Sequence, residues 1–400
     1  MTTTTEAEER WDLVVVGAGP AGAAAALGAL RHSPGLRVLL LDRADFPRDK
    51  SCGDGIPPHV LGVLAGLGVH DVADGWAPLQ RLELGHGDTR VEGTMSRPVH
   101  VIPRKVFDAR LVDHAVSAGA TLRRHRVRTV GRAITGPVLD DRFEAPLVIG
   151  CDGAHSVVRK AAGLPASTRS AIAIRGYVPT PPDRAQVQMI RYGDRRQPSY
   201  AWSFDRGDGL SNVGYGELVG HQDEGDAATT RAVLLEELER LFPGAASLGG
   251  DWKGHPLPLS SWTWKQPAGR LLVAGDAAGL INPMTGEGIY YAVASGAMAG
   301  QAAAESLLAG TPDAAASTYR RRLKRLIAGH LRHTAAAALL STRPTIIDAG
   351  IRATARNRRI FDDMVELGLG DGRITPRLAT GLAAQLVRRP PTAITSTSRR

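Results

Sequence analysis

The residues best suited to chemistry stand where short apolar runs stop and glycines begin. Leu13–Val16 runs straight into Gly17-Ala18-Gly19-Pro20-Ala21-Gly22, and twenty residues after Gly22 a second apolar run ends on Asp42-Arg43. Glycines at this spacing serve a dinucleotide. Gly17 makes the tight turn, Gly19 lets backbone N–H groups reach a pyrophosphate, and Gly22 lets a helix lie close on its strand. Asp42 is placed to take the hydroxyl pair of a ribose, and the helix N-terminus offers partial positive charge to the phosphates. Two more acids stand beside glycines at strand ends, in Cys151-Asp152-Gly153 and Gly275-Asp276. The second leads on to Asn282-Pro283-Met284-Thr285-Gly286-Glu287-Gly288-Ile289. Cys52 offers a thiol in a charged turn, Phe46-Pro47-Arg48-Asp49-Lys50-Ser51-Cys52-Gly53-Asp54-Gly55. Tyr200, Trp202 and Phe204 alternate, so on a strand their rings share one face. That face suits an apolar substrate, and equally a ladder of rings packed into a core.

Holding these groups requires a βαβ unit: strand 13–16, an alanine-rich helix over 23–30 and a strand over 37–41. Further on, the pattern predicts a helix over 57–67, strands over 79–84 and 90–92, a helix over 106–118, short strands over 122–138 and a strand over 145–149. From 171 to 259 alternating strands take over (171–178, 186–192, 200–204, 212–217), with one helix over 228–241. A buried strand over 270–274 then ends at Gly275-Asp276, and a helix begins near Gly286 and runs to 308. The expected fold is therefore α/β. A Rossmann-like dinucleotide domain (11–75, 100–165 and 268–310) is interleaved with an antiparallel β-sheet substrate domain (76–99 and 166–267). C-terminal helices follow over 311–387, and residues 1–10 and 388–400 are expected to be a disordered leader and tail.

The chain has 400 residues, 43% of them apolar, enough for a large core. Its formal net charge of +9 is carried by arginine, since only six of the 49 basic residues are lysine. No helix-turn-helix, RNA-recognition or zinc-finger pattern accompanies that charge, so no nucleic-acid partner is expected. Cys52 and Cys151 are too few for a disulfide framework or an iron–sulfur cluster, which points to a reducing cytoplasm. The polar leader is no signal peptide, and no run of about eighteen uncharged apolar residues predicts a membrane span. His59, His155 and His255 each stand without a second ligand at metal spacing, so no metal is expected. From Arg320 to Arg359 eleven basic residues face one acid, Asp348. Such helices suit the anionic inner face of a membrane, and equally a solvated surface or a grip on a diphosphate.

Together the three glycine–acid segments resemble the fingerprints of the para-hydroxybenzoate hydroxylase superfamily of flavoproteins, over roughly residues 10 to 310. The resemblance implies FAD, with Asp276 on a ribitol hydroxyl, Asp152 to Arg159 along the far side of the cofactor, and Arg104 against it. The first motif with Asp42 and Arg43, the Asp152-Gly153 and Gly275-Asp276 turns, and Pro283 with Gly286 to Ile289 are then cofactor-binding. So are Arg48, Cys52 and Gly53. A helix beginning near Gly286 would aim its free N–H groups at the N1–C2=O edge of the ring, which favours the anionic reduced flavin.

The charged turn is similar to the PRDKPCGDG stretch of geranylgeranyl reductases, including bacterial menaquinone side-chain reductases, with Ser51 in place of a proline. Pro198 to Phe204, with Asn212-Val213-Gly214, is similar to their YxWxFP substrate motif, with Asp205 in place of the last proline. The chain is identified as a member of that family. The resemblance implies an FAD-dependent oxidoreductase that reduces C=C bonds of a geranylgeranyl- or menaquinone-like prenyl chain, with Tyr200, Trp202 and Phe204 lining a tunnel. An acid at 205 weakens the claim to the same substrate. The alternatives are a flavin monooxygenase or hydroxylase, a flavin halogenase of a secondary-metabolite pathway, and a non-catalytic flavin-bearing lipid carrier or electron-transfer partner.

An isolated trisubstituted alkene is not electrophilic, so an acid must protonate one carbon while hydride reaches the tertiary cation that develops. Tyr200 or Trp202 would stabilise that cation, and water must be kept out. Cys52 is the named residue for a proton or gating role, though a small buried cysteine is as often inert, and Cys151 reads as core. The expected partners are an apolar prenyl lipid, an electron donor (NAD(P)H or ferredoxin) and the membrane surface, for a cytoplasmic protein peripheral at the inner face.

Overall fold

Apolar runs with no polar face become strands buried on both sides. Leu13–Val16, Val38–Asp42 and Leu147–Gly150 are buried at every position. They form a five-stranded parallel sheet in the order Leu271–Val273, Leu147–Gly150, Leu13–Val16, Val38–Asp42, Thr121–Arg124. Parallel pairing brings Gly17, Asp42, Asp152 and Asp276 to the same edge, although they lie far apart in the chain. The structure is a computed structural model that describes residues 8–133, 135–219, 229–261 and 267–387. The expected tail and most of the leader lie outside the described residues. The end of the leader is ordered: Glu9–Arg10 pairs with Phe143–Glu144 in a small four-stranded sheet.

Helix Pro20–His32 opens with a proline in its first turn, where the missing N–H has no partner to lose. It lies against helix Ile289–Leu308 in near-backbone contact. A Cβ at Gly296 would overlap the carbonyl oxygen of Ala21, and one at Gly300 that of Ala25. Small residues on both helices permit this approach, and Ala23 to Ala26 are fully buried. The second helix starts at Ile289 rather than near Gly286, because Asn282 ties down the preceding turn through backbone bonds to Gly286 and Glu287.

The second sheet has eight strands in the order Gly250–Pro258, Ser170–Pro179, Leu210–Val219, Tyr200–Asp205, Val187–Tyr192, Pro78–His86, Thr89–Val101, Gly55–Ile56. It is antiparallel except where Val187–Tyr192 meets Pro78–His86 in parallel. Thr89–Val101 is far longer than the short strand expected over 90–92, and Gly55–Ile56 crosses over from the nucleotide segment to cover its edge. Helix Arg231–Leu241 is capped by the Thr230 hydroxyl.

The C-terminal region forms helices Ala315–Leu340, Pro344–Arg356, Arg358–Leu369 and Pro376–Val387. Asn357 caps the third through the Arg359 and Ile360 N–H groups. Phe361 of that helix rests on the bare backbone of Gly93, where a Cβ would lie 2.6 Å from the ring. The helix thereby lies across the sheet beside Leu82 and Leu84. Among the described residues no helix is long and apolar enough to cross a membrane.

Candidate functional site

One continuous cavity of about 920 Å³ runs from the strand ends of the parallel sheet to the aromatic face of the mixed sheet. At the first end Gly17 takes φ +95°, a left-handed value that glycine adopts freely, and a Cβ at Gly22 would overlap the Gly17 carbonyl oxygen. Asp42 Oδ2 accepts the Ala18 N–H at 2.8 Å and Oδ1 the Ala44 N–H at 2.9 Å, so the acid holds the glycine turn while still bordering the cavity. Arg48 pairs with Asp108 at 3.0 Å, and Arg104 reaches the same carboxylate at 2.6 and 2.8 Å. Burial works against the Arg104 charge, but Asp108 outweighs it and holds the guanidinium protonated.

Asp152 Oδ2 accepts the Val157 N–H at 2.6 Å, while its buried Oδ1 accepts no hydrogen bond among the described residues. Asp276 meets Lys50 Nζ at 3.1 Å. Burial alone would raise the Asp276 pKa, but Lys50 outweighs it and keeps the group ionised. His255, also on the cavity, is pushed down to about 4 by burial and then by Lys50. A bare-backbone turn, an acid at each strand end and an unsatisfied buried oxygen at Asp152 together fit FAD. Of the Asp152 to Arg159 stretch, Ser156, Val158 and Arg159 lie off the cavity; the other expected cofactor positions border it except Gly22 and Gly275. Those two act in packing: Gly275, at φ +59°, donates its N–H to Ser295 Oγ at 2.9 Å.

At the other end the three rings form one continuous wall. Ring centres lie 6.0 Å apart for Tyr200–Trp202 and 6.4 Å for Trp202–Phe204, and Tyr192 adds a fourth ring 6.3 Å from Tyr200. Trp202 Nε1 donates to Asn212 Oδ1 at 2.8 Å, and Asn212 Nδ2 donates to the Cys52 carbonyl at 2.9 Å and to Asp54 Oδ2 at 2.8 Å. Gly53 sits on the wall, where a Cβ would be 3.5 Å from both Phe204 and Trp202. The charged turn and the aromatic strand are therefore one structure, joined by Asn212. Burial pushes the Cys52 thiol up, so it stays protonated beside Arg104, Asp54 and Glu287.

Both departures from the family pattern have structural reasons. Ser51 Oγ donates to the Lys253 carbonyl at 2.8 Å, a bond that proline could not make. Asp205 points to the opposite face from Phe204 and accepts the Gln186 and Gly207 N–H groups at 2.6 and 2.9 Å. It does not border the cavity, so the wall is intact.

A scan against family models matches the FAD binding domain family over residues 10–333. Digeranylgeranylglycerophospholipid reductase 1 of Methanopyrus kandleri is 33% identical over 322 residues, 74% of this chain and 81% of the relative. Menaquinone reductase of Mycolicibacterium smegmatis is 30% identical over 312 residues, 73% of this chain and 76% of the relative. The chain belongs to the geranylgeranyl reductase family of FAD-dependent oxidoreductases. A geranylgeranyl bacteriochlorophyll reductase-like protein of Thermoplasma acidophilum has the same fold, with TM-score 0.76 and 20% identity over 94% of this chain and 99% of the other.

In this member of the reductase family, part of the cavity comes from segments that the sequence did not single out. Leu82, Leu84, Ile190 and Tyr192 extend the apolar wall, and Met364, Val365, Gly368 and Leu369 roof it. The roof helix is fixed to the turn before helix Ile289–Leu308 by Thr285 Oγ1, which donates to the Gly368 carbonyl at 2.8 Å, and by Asn282 Nδ2, which reaches the same carbonyl at 3.4 Å. The spacing of 361, 364, 365 and 368 marks one apolar helix face, but nothing in it says which element that face covers.

Two stretches read from the sequence gain partners in space. His59 is not isolated in space: its Nε2 lies 3.0 Å from Glu366 and 3.9 Å from Asp371. Arg97 already inserts a guanidinium there, 2.6 Å from His59 and 2.8 Å from Glu366. The basic C-terminal stretch is partly neutralised as well, with Arg322 on Glu305 at 2.7 Å and Arg358 on Asp362 at 3.0 Å. Its one acid, Asp348, is engaged by His86 at 2.8 Å.

Proposed function

We propose that this oxidoreductase reduces C=C bonds of a prenyl chain lying along the wall of Tyr200, Trp202 and Phe204. The observation that carries the reading is the continuity of the cavity: an apolar, ring-lined branch opens directly into the FAD cradle. Reductases of menaquinone and of digeranylgeranylglycerophospholipid among the relatives support an isoprenoid substrate. FAD, once reduced, supplies the hydride. The chain supplies the rest. Gly17 to Gly22, Arg48 and Arg104 hold the diphosphate side, and Asp42, Asp152 and Asp276 hold sugar and ribitol hydroxyls. The rings of Trp202 and Tyr200 stabilise positive charge developing on the alkene. The roof helix and the wall exclude water that would otherwise capture it.

A thiol with a raised pKa is a weak acid, so Cys52 serves to shape and gate the junction between cradle and tunnel. NAD(P)H or ferredoxin reduces the cofactor. The exposed Arg320, Arg321, Lys324 and Arg325 on helix Ala315–Leu340, with exposed Leu339 and Leu340 at its end, support peripheral contact with an anionic membrane. A flavin-dependent brominase with TM-score 0.64 and 16% identity shares the fold alone.

The test is anaerobic. Reduced holoenzyme should be reoxidised by a polyprenyl quinone or a geranylgeranyl lipid and not by its saturated analogue. Productive reoxidation by oxygen alone would point to a monooxygenase instead.

A further inference from the structure

We propose that Glu287 is the acid that protonates the alkene; this role rests on the prenyl-reductase reading. Glu287 is half-buried, borders the cavity and stands at the start of helix Ile289–Leu308, where Oε1 accepts the Tyr290 N–H at 3.0 Å. The Tyr200 hydroxyl of the aromatic wall donates to the carbonyl of Thr285, two residues before it. A Cβ on Gly286 would lie 3.3 Å from that hydroxyl, so bare backbone separates wall and acid. Glu287 thus stands at the junction of the expected flavin face and the tunnel.

Its surroundings suit proton donation. Burial pushes its pKa up to about 7, against the pull of the Tyr290 and Ile289 N–H groups, of Arg104 on helix Arg104–Ser117 and of His59 on helix Pro58–Gly66. Cys52 on the charged turn, Tyr200 on the sheet and Tyr291 on its own helix also face it, and burial raises all three, so they stay neutral. His255 has already lost its proton at neutral pH. FAD held near this helix N-terminus would, once reduced, add negative charge that favours the carboxylic acid form of Glu287 when a proton is needed.

The step balances. The alkene π bond and the Glu287 O–H bond break, and two C–H bonds form, one from that proton and one from the hydride of reduced FAD. Glu287 is left as a carboxylate held by the Tyr290 N–H, and it regains a proton from solvent when the external donor reduces the cofactor again.

The experiment compares wild-type holoenzyme with Glu287→Gln, which keeps an acceptor for Tyr290. FAD content, the pH dependence of the flavin midpoint potential and the anaerobic lipid-driven reoxidation rate are measured. Compared at FAD content brought up to that of wild type with added cofactor, and starting from fully reduced flavin, Glu287→Gln should lose about a hundredfold or more in lipid-driven reoxidation. It should also lose the proton-uptake step that wild type shows in its potential between about pH 6 and 8. Glu287→Asp should recover part of the rate with a shifted pH break. A Glu287→Gln rate within about threefold of wild type would overturn the proposal, as would a wild-type potential and rate with no break in that pH range. So would Glu287→Asp as inactive as Glu287→Gln at full FAD content. Wild type that reduces no prenyl lipid at all would remove the underlying reading, and this one with it.

Discussion

Asn212 carries more of the site than its position in the sequence suggests. One amide, itself fully buried, takes the Trp202 indole N–H and gives hydrogen bonds to the Cys52 carbonyl and to Asp54. Replacing it with leucine leaves an indole N–H and a carboxylate short of partners. The expected cost is about 2 kcal/mol, read as a lower midpoint in urea unfolding, with slower lipid-driven turnover as Trp202 and the Cys52 turn part. Unchanged stability and turnover would mean that the amide does not couple them. At this scale much was legible in advance. The glycines and acids of the cradle announce themselves because a phosphate-binding turn admits few residue types. Asn212 was visible only as part of a motif, since an amide shows its role only when its partners are placed. Lys50 was hidden for the same reason: its pairing with Asp276 spans 226 positions.

The elements followed their apolar periods where burial was simple. The strands of the parallel sheet read directly, because runs buried on both faces contain nothing polar. Boundaries shifted where side chains rather than propensity decided them, as at Ile289, delayed by the Asn282 turn. The roof helix Arg358–Leu369 is the element whose place was not legible, and its attachment is testable. His59 and then Arg97 hold Glu366 down to about 2 from an ordinary 4.5. A carboxyl depressed in the fold stabilises it fully above its unfolded value and loses that contribution as pH falls through the folded one. Hydrogen-exchange protection of Arg358–Leu369 should therefore hold at neutral pH and fall between about pH 4 and 2. Glu366→Gln should show weaker protection already at pH 7. Protection that is independent of both acid and substitution would mean that the helix is held by packing alone.

Across the whole molecule, three dispersed motifs sufficed to foresee a dinucleotide unit interrupted by a sheet, because parallel strand order must gather their acids at one edge. The tunnel's full extent was not foreseeable, since its roof comes from the C-terminal helices. The basic surface of Ala315–Leu340 should bind vesicles containing anionic lipid at low salt and release them as ionic strength rises past physiological. Binding that persists unchanged in high salt would contradict an electrostatic attachment. The central claim, that the ring-lined branch presents a prenyl alkene to FAD, is tested most directly by the mass of the lipid after anaerobic turnover with reduced holoenzyme. A gain in steps of two hydrogens, lost when Ile190→Trp narrows the apolar wall at unchanged FAD content, is the predicted result. A lipid of unchanged mass, or one that gains oxygen or halogen once air or halide is admitted, would contradict it.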